Sequence, residues 1–579
     1  MSQLLSEVFE DSIDLPIGLV HAAGEFDEGD FASYPFPPLR SANDLEVRTF
    51  QTVVLENAYL KVTILPDLGG RIISLLDKRT DTEILKRHSS CDIQPSGPRG
   101  ASIREGVQIA LGREDRLNAL GSVGVQFEHS SSEGGDTAVW LSEIYTGTGL
   151  SFHLRIALPS DRAALEIEAR VLNRWFVPQR YNGGLKVYLG DGSLFNPFFA
   201  STERPIGLTW SSPDLFEGTT LLDGFLYLNR FVSDQWLAPR QVDTWHLTLA
   251  PISGMDRVHA ANPKGALSLI DETLRIQTTE QRLGHKVFLQ QPDGQTLEAP
   301  IDLYPEQISE LNLAGLNPVA IVIRDSAKQE ILRADDLNPS PLSQIEPKEA
   351  ATTADLQLSV DSPIQELRRA LFDVSTRYQA HILLGMKSLA AKDLDSANHH
   401  LEQALLYNAD DPLTWWLKAL NLRLMDTDPQ AELLNAHYLA PMEPALRAES
   451  FLSQPINLDR DPNPLLKSMA SNPPEFVEVA CLLMEAGLFD QASRWIDEAL
   501  RHVDLPILRY LMAYSLLVAT KLDMEAAEQI RLAGQLPFGP PYPVRPFEQK
   551  VLSVLSSRFP SDARLRAYVE LWTRIRATG

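Results

Sequence analysis

The sequence predicts a multidomain chain, all-β and then all-α, with an antiparallel β-sandwich leading into an α-solenoid. Three observations predict it. From about residue 45 to 335, short apolar runs alternate with a period of two between clusters of turn residues. From about 363 the apolar period becomes 3.6. Between them, Asn338-Pro339-Ser340-Pro341, Glu346-Pro347-Lys348-Glu349 and Ala351-Thr352-Thr353 show little periodic burial. The expected division is a sandwich over 1–335, a Pro-rich linker over 336–362 and helical repeats over 363–579.

The sandwich is clearest in Thr52 to Lys78. Val53-Leu55 and Leu60-Val62-Ile64 alternate as two strands, Pro66-Asp67-Leu68-Gly69-Gly70 turns the chain, and Arg71 to Leu76 forms a third. Gly69 and Gly70 suit a turn that needs positive φ, which places the Arg71 guanidinium at a strand start. Further strands are expected at Leu165 to Val171, at Trp245 to Leu249, and at Val287 to Leu289 before the turn Pro292-Asp293-Gly294.

In the helical part, Leu384, Leu389, Leu394, Ala397, Leu401, Ala404 and Leu405 mark a helix pair broken near Lys392-Asp393. Ala397, Ala431, Ala492 and Ala526 repeat with separations that include 34 residues, the tetratricopeptide length. Leu401, Ile496 and Ile530 follow at the fourth position, and Ala404, Ala499 and Ala533 at the seventh. Trp415, Trp416 and Trp495 are expected to pack in the core, and a last helix from about Pro546 to cap the stack.

At 579 residues the chain exceeds what one core serves, and 44% apolar content is ordinary for globular protein. The 52 basic and 77 acidic residues leave a charge of −25, which opposes approach to phosphate backbones and anionic bilayers, so neither nucleic acid nor membrane is an expected partner. No run of 18 apolar residues occurs and the N-terminus lacks a signal-peptide pattern, so a cytoplasmic location is expected. Cys91 and Cys481 lie far apart and suggest plain thiols. Neither metal-ligand spacing nor a Gly-rich phosphate loop is present, so no metal and no cofactor are expected.

The segment Thr52 to Lys78, together with Thr137 to Ile144 and Phe152 to Arg174, resembles the opening strands of the galactose-mutarotase-like (aldose-epimerase-like) β-supersandwich. The resemblance is to a bacterial family of uncharacterised function in which that fold is fused to tetratricopeptide repeats. It implies a sugar on the concave sheet. Relatives carry a Gly-Gly-hydrophobic-Glu segment where this chain reads Arg104-Glu105-Gly106-Val107-Gln108. Gln108 stands in place of the Glu; an amide cannot exchange a proton near neutral pH but can hydrogen-bond a hydroxyl, which favours binding over catalysis.

The expected site follows from these readings. Arg71, Arg104 and Gln108 are candidate hydrogen-bond partners of a saccharide. Along Leu185 to Leu189, alternation puts Lys186 and Tyr188 on one side, facing either ligand or water. Trp210 and Trp236, in loop-like contexts, are candidate stacking platforms, or else packing under long loops. His246 alternates with Trp245 and Leu247 and faces away from them, toward ligand or water. Glu105 and Glu114 are the acid/base candidates of a glycoside-active hydrolase or epimerase, the alternative to a carbohydrate-binding protein. A third reading makes the repeats a scaffold for a protein partner or for self-association.

Overall fold

The computed structural model describes residues 6–18, 45–88, 93–95, 101–111, 123–128, 136–144, 149–195, 197–214, 216–337, 339–342, 358–454, 466, 469, 472–537, 541 and 543–578. Most of the expected linker, 343–357, lies outside them, as do Glu114, Cys91 and part of the proline-rich turn at 539–543.

Two antiparallel sheets face each other over one core. The first runs in the order Glu7–Gly18, Leu45–Glu56, Leu60–Leu65, Arg71–Asp77, Val107–Ala110, Gly184–Tyr188, Phe225–Asn229 and Thr220–Leu222. The second runs Gly192–Phe195, Phe198–Ser201, Ile206–Ser211, Val242–Ser253, Leu165–Asn173, Leu150–Leu158, Thr137–Ile144 and Gly124–Glu128. Alternation sets which side chains enter the core: Leu60, Val62 and Ile64 are buried in it, while Lys61 and Thr63 on the same strand are only half-buried. The turn before Arg71 takes the form its glycines allow, with φ of 73° at Gly69 and 68° at Gly70.

Beyond Ser253 the chain builds a separate small β unit. Two four-stranded sheets, spanning Ala260–Asn262 to Glu330–Ala334, enclose their own core around Leu267, Leu274, Ile276, Val287, Leu303 and Ile321. The strands expected up to residue 335 are thus shared between two large cores, with smaller clusters around Ile73 and around Ile252, the latter joining the small unit to the second sheet.

The α part holds twelve α-helices among the described residues, from Ile364–Ala370 to Ala563–Thr578. Helices Arg377–Ala390 and Leu394–Tyr407 pair across a turn with φ of 61° at Lys392. Asp393 caps the second helix by accepting from the Ser396 N–H. Ala397, Ala492 and Ala526 are buried at the repeat positions, but Ala431 is exposed. Its helix, Gln430–Leu439, buries Ala436 instead, so the repeat register fails in the second unit, where Asn435 and Tyr438 interrupt the apolar stripe. Trp416 and Trp495 are core residues, and Trp415 is half-buried. Helix Pro546–Arg558 is followed by Ala563–Thr578, so the stack ends one helix later than expected. No helix among the described residues is long and apolar enough to cross a membrane.

Sandwich and solenoid meet in a largely buried seam on the second sheet. Leu172, Trp175 and Phe176, at the end of strand Leu165–Asn173, belong to the same apolar cluster as the helices. Arg174, fully buried beside them, donates to Glu443 at 2.6 Å and lies 3.5 Å from Glu478. Arg545 binds the same Glu478 at 2.5 Å, which links the last helices to the sandwich. Nearby, the buried Arg240 donates to both oxygens of Asp411, at 3.1 and 2.8 Å. Asp411 also caps helix Pro412–Leu424 through the Leu413 N–H and accepts from Tyr378 and Thr414. Arg170 reaches the Tyr438 and Leu439 carbonyls that end Gln430–Leu439.

Replacing Arg174 by Met removes the cation and leaves Glu443 buried without it, so urea unfolding should report a loss of about 3–5 kcal/mol. A loss under about 1 kcal/mol would show that the seam does not need the pair.

Candidate functional site

The core-facing residues of the central strands of the first sheet leave a row of polar side chains on the opposite face. Strand register pairs Gln108 with Lys186 and Lys186 with Tyr227, while Val107, Ile109, Leu185, Val187, Leu226 and Leu228 turn inward. One residue pair further on, Tyr188 lies opposite Phe225. The row therefore follows from pairing alone.

Arg71 fixes the row from the neighbouring strand. It is 2% exposed, and its guanidinium donates to the carbonyls of Ile103 and Glu105 and, at 2.5 Å, to Gln108 Oε1. Arginine can only donate, so it takes the amide oxygen of Gln108 and leaves the amide nitrogen to donate elsewhere. Gly106, with φ of 77°, lets the turn pass so close to Ile72 that a Cβ there would lie 2.2 Å from its carbonyl oxygen. The Lys186 ammonium sits over the Phe225 ring at 4.3 Å and the Tyr227 ring at 5.5 Å.

At one end of the row a carboxyl, an imidazole and a phenol meet. Glu105 is 5% exposed and accepts from the His88 backbone N–H at 2.9 Å. Burial holds its pKa above the ordinary carboxylate value, against the His88 N–H bond and the positive charge of Arg87 and Arg71. The His88 ring lies 3.1 Å from the Tyr188 hydroxyl through Nε2 and stacks on that ring. His88 is exposed and Arg104, which reaches the Asp223 carbonyl, is half-buried, so this end opens to solvent.

Arg71, Glu105, Gln108, Lys186 and Tyr188 are thus brought together, with Arg104 at the margin. Three other candidates are placed elsewhere. Trp210 lies in strand Ile206–Ser211 with its ring in the sandwich core, because its register turns it inward; it offers no stacking face. Trp236 stands on a two-stranded ribbon with Gln179–Tyr181, under the Arg180 guanidinium. His246 is on the outer face of the second sheet, half exposed, 3.3 Å from Asp214. Glu114 lies outside the described residues. Sequence reasoning missed His88, Phe225 and Tyr227. The alternation Phe225-Leu226-Tyr227-Leu228 carries the signal for the two aromatic residues, whereas His88 sits in irregular chain with no periodicity to place it.

Among the described residues no group of three or more His, Cys, Asp or Glu is arranged to hold a metal ion. A concavity of about 590 Å³ lies on the solenoid between Arg423, Leu452, Asp490, Arg494 and Met512. Its cations are committed: Arg423 to Glu449, and Arg494 to the Phe451, Leu452 and Gln454 carbonyls.

Residues 32–183 match the model of a family described as a domain of unknown function, DUF5107. Among solved structures, a TPR-domain containing protein from Parabacteroides distasonis is similar over 93% of this chain and 97% of its own, at 12% identity and a TM-score of 0.35. A galactose mutarotase-like protein from Clostridium acetobutylicum is similar over 35% of this chain and 96% of its own, at 10% identity and a TM-score of 0.26. A galactose mutarotase related enzyme from Lactobacillus acidophilus covers 36% of this chain and 99% of its own, at 11% identity and a TM-score of 0.24. At these values the likenesses assign no substrate to this chain.

Arg71→Lys keeps the charge but cannot reach two carbonyls and an amide together, so thermal unfolding should show a loss of about 2–3 kcal/mol. The Glu105 carboxyl should titrate by NMR above the ordinary carboxylate range. Its raised folded pKa makes a contribution to stability that is full at acid pH and lost as pH rises through that value. Titration at the ordinary value would contradict the burial argument.

Proposed function

We propose that this protein binds a saccharide on the face of the first sheet that points away from the sandwich core, along Gln108, Lys186 and Tyr188, which are only 5–6% exposed, and the half-buried Tyr227. The observation that supports the reading is the directly paired row Gln108, Lys186, Tyr227, which offers an amide, an ammonium and a phenol at neighbouring positions. A sugar presents hydroxyls that both donate and accept, and side chains fixed before binding lose little freedom on contact. Arg71 supplies that fixing for Gln108. A glycan array on the full-length chain identifies the ligand class. With any hit, Gln108→Ala and Lys186→Ala should each weaken binding at least about tenfold by calorimetry. Unchanged affinity in both variants would remove the row from the site.

A specific observation favours a second reading, turnover of a glycoside or exchange of an anomer: a carboxyl with a raised pKa, bonded to the backbone N–H of the residue whose imidazole meets the Tyr188 phenol at the open end of the row. On that reading Glu105→Gln abolishes a measured activity while leaving ligand affinity within about threefold. An activity that survives the substitution excludes Glu105 as the acid/base group.

A further inference from the structure

The concavity on the solenoid has an apolar floor, Leu452, Met512 and Leu516, and a wall formed by helix Phe489–His502. A smaller one, of about 260 Å³, lies between helices Gln430–Leu439 and Pro444–Leu452, where Leu433, Leu434 and Leu446 line it. The two adjoin at the Arg423–Glu449 ion pair, since Arg423 lines the first and Glu449 the second. They make one groove, and Leu434 within it is 58% exposed.

The cations of this groove are engaged within the chain. Arg423 holds Glu449, while Arg494 donates to carbonyls at the end of helix Pro444–Leu452 and packs over the Phe451 ring at 5.0 Å. The acids are not engaged. Asp490 and Asp497 are exposed, and among the described residues neither side chain accepts a hydrogen bond or enters an ion pair. Water satisfies such carboxylates in the open groove, so whatever covers them must bring positive charge in its place. A second copy of this chain, itself at −25, is a poor cover on that ground.

We propose that the groove docks a basic, extended segment of another protein, with two Lys or Arg side chains on Asp490 and Asp497 and apolar side chains between them on the Leu452, Met512 and Leu516 floor. Helix rise sets the spacing. Asp490 and Asp497 stand two turns apart on one helix, about 10 Å along its axis. A polyproline-II chain returns to the same side every third residue, at about 3.1 Å each, so basic residues at i and i+3 fall about 9 Å apart. Such a segment has no internal hydrogen bonds and needs partners for its backbone. Gln491 and Gln529 line the groove with side-chain amides, and because Arg509 takes the Gln529 oxygen, the Gln529 amide nitrogen is left to donate.

Fluorescence anisotropy of the full-length chain tests the docking with a labelled peptide, Gly-Pro-Lys-Leu-Leu-Lys-Pro-Ala-Gly, and its counterpart with Glu for both Lys. The basic peptide should bind at least about tenfold more tightly than the acidic one, and less tightly as salt is raised. Asp490→Asn with Asp497→Asn, both at exposed positions and so compatible with the fold, should weaken it at least about tenfold. Asp395→Asn with Asp410→Asn makes the same charge change at exposed positions that do not line the groove, and should leave affinity within about twofold. Asp490→Lys with Asp497→Lys should turn the preference to the acidic peptide. Equal losses in the two Asn pairs would place the attraction in the net charge and overturn the proposal. Equal affinity for the two peptides, or no binding of the basic one below about 1 mM, would overturn it as well.

Discussion

The structure depends on how two unlike architectures exclude water from a shared boundary. A sheet face and a helix stack have different periods, so their side chains do not interdigitate as two helices would, and polar groups at the boundary must find partners across it. Arg174 and Arg240 do this from the sandwich side, each fully buried and each bound to a glutamate or aspartate that a helix presents. Such pairs add little net stability over a well-packed apolar contact, but they accept only one relative placement of the partners. Here the carboxylates are themselves fixed: Asp411 and Glu443 both accept from the first N–H groups of the helices they precede. The helix starts thus define where the sandwich sits.

That placement bears on the candidate site by elimination. The solenoid occupies the outer side of the second sheet, where Arg170 and Met442 make contact. The outer face of the first sheet is where the chain gathers Gln108, Lys186 and Tyr188. A side chain such as His246, attractive from sequence because it faces away from two core residues, is on the second sheet and separate from that row. Alternation tells which side of a strand a residue takes; it does not tell which sheet the strand joins.

The fold class was legible because period is a local property. The strands from Leu45 to Asp77 and the helix pair around Lys392 follow from spacing and turn residues within windows of about twenty residues. The site was legible in part for the same reason: Lys186 and Tyr188 share a side by alternation, and Arg71 and Glu105 flank turns. Trp210 was misplaced because its flanking Ser and Pro residues resemble a loop, although the pairing of Ile206–Ser211 with Val242–Ser253 holds it in the core. Ala431 misled for a related reason, since a matching spacing carries no information about whether the helix it sits on turns that side inward. The seam was not legible at all. The ion pairs that cross it join residues some 170 to 300 positions apart, and no local pattern distinguishes Arg174 from a solvated arginine.

We propose that saccharide recognition resides on the first sheet, along Gln108, Lys186 and Tyr188. Hydrogen–deuterium exchange of the full-length protein, with and without a saccharide identified by array, tests it most directly. Added protection is expected in Val107–Ala110 and Gly184–Tyr188, with Val242–Ser253 and the solenoid groove around Arg494 unchanged. Protection confined to the helices, or to the second sheet around His246, would contradict it.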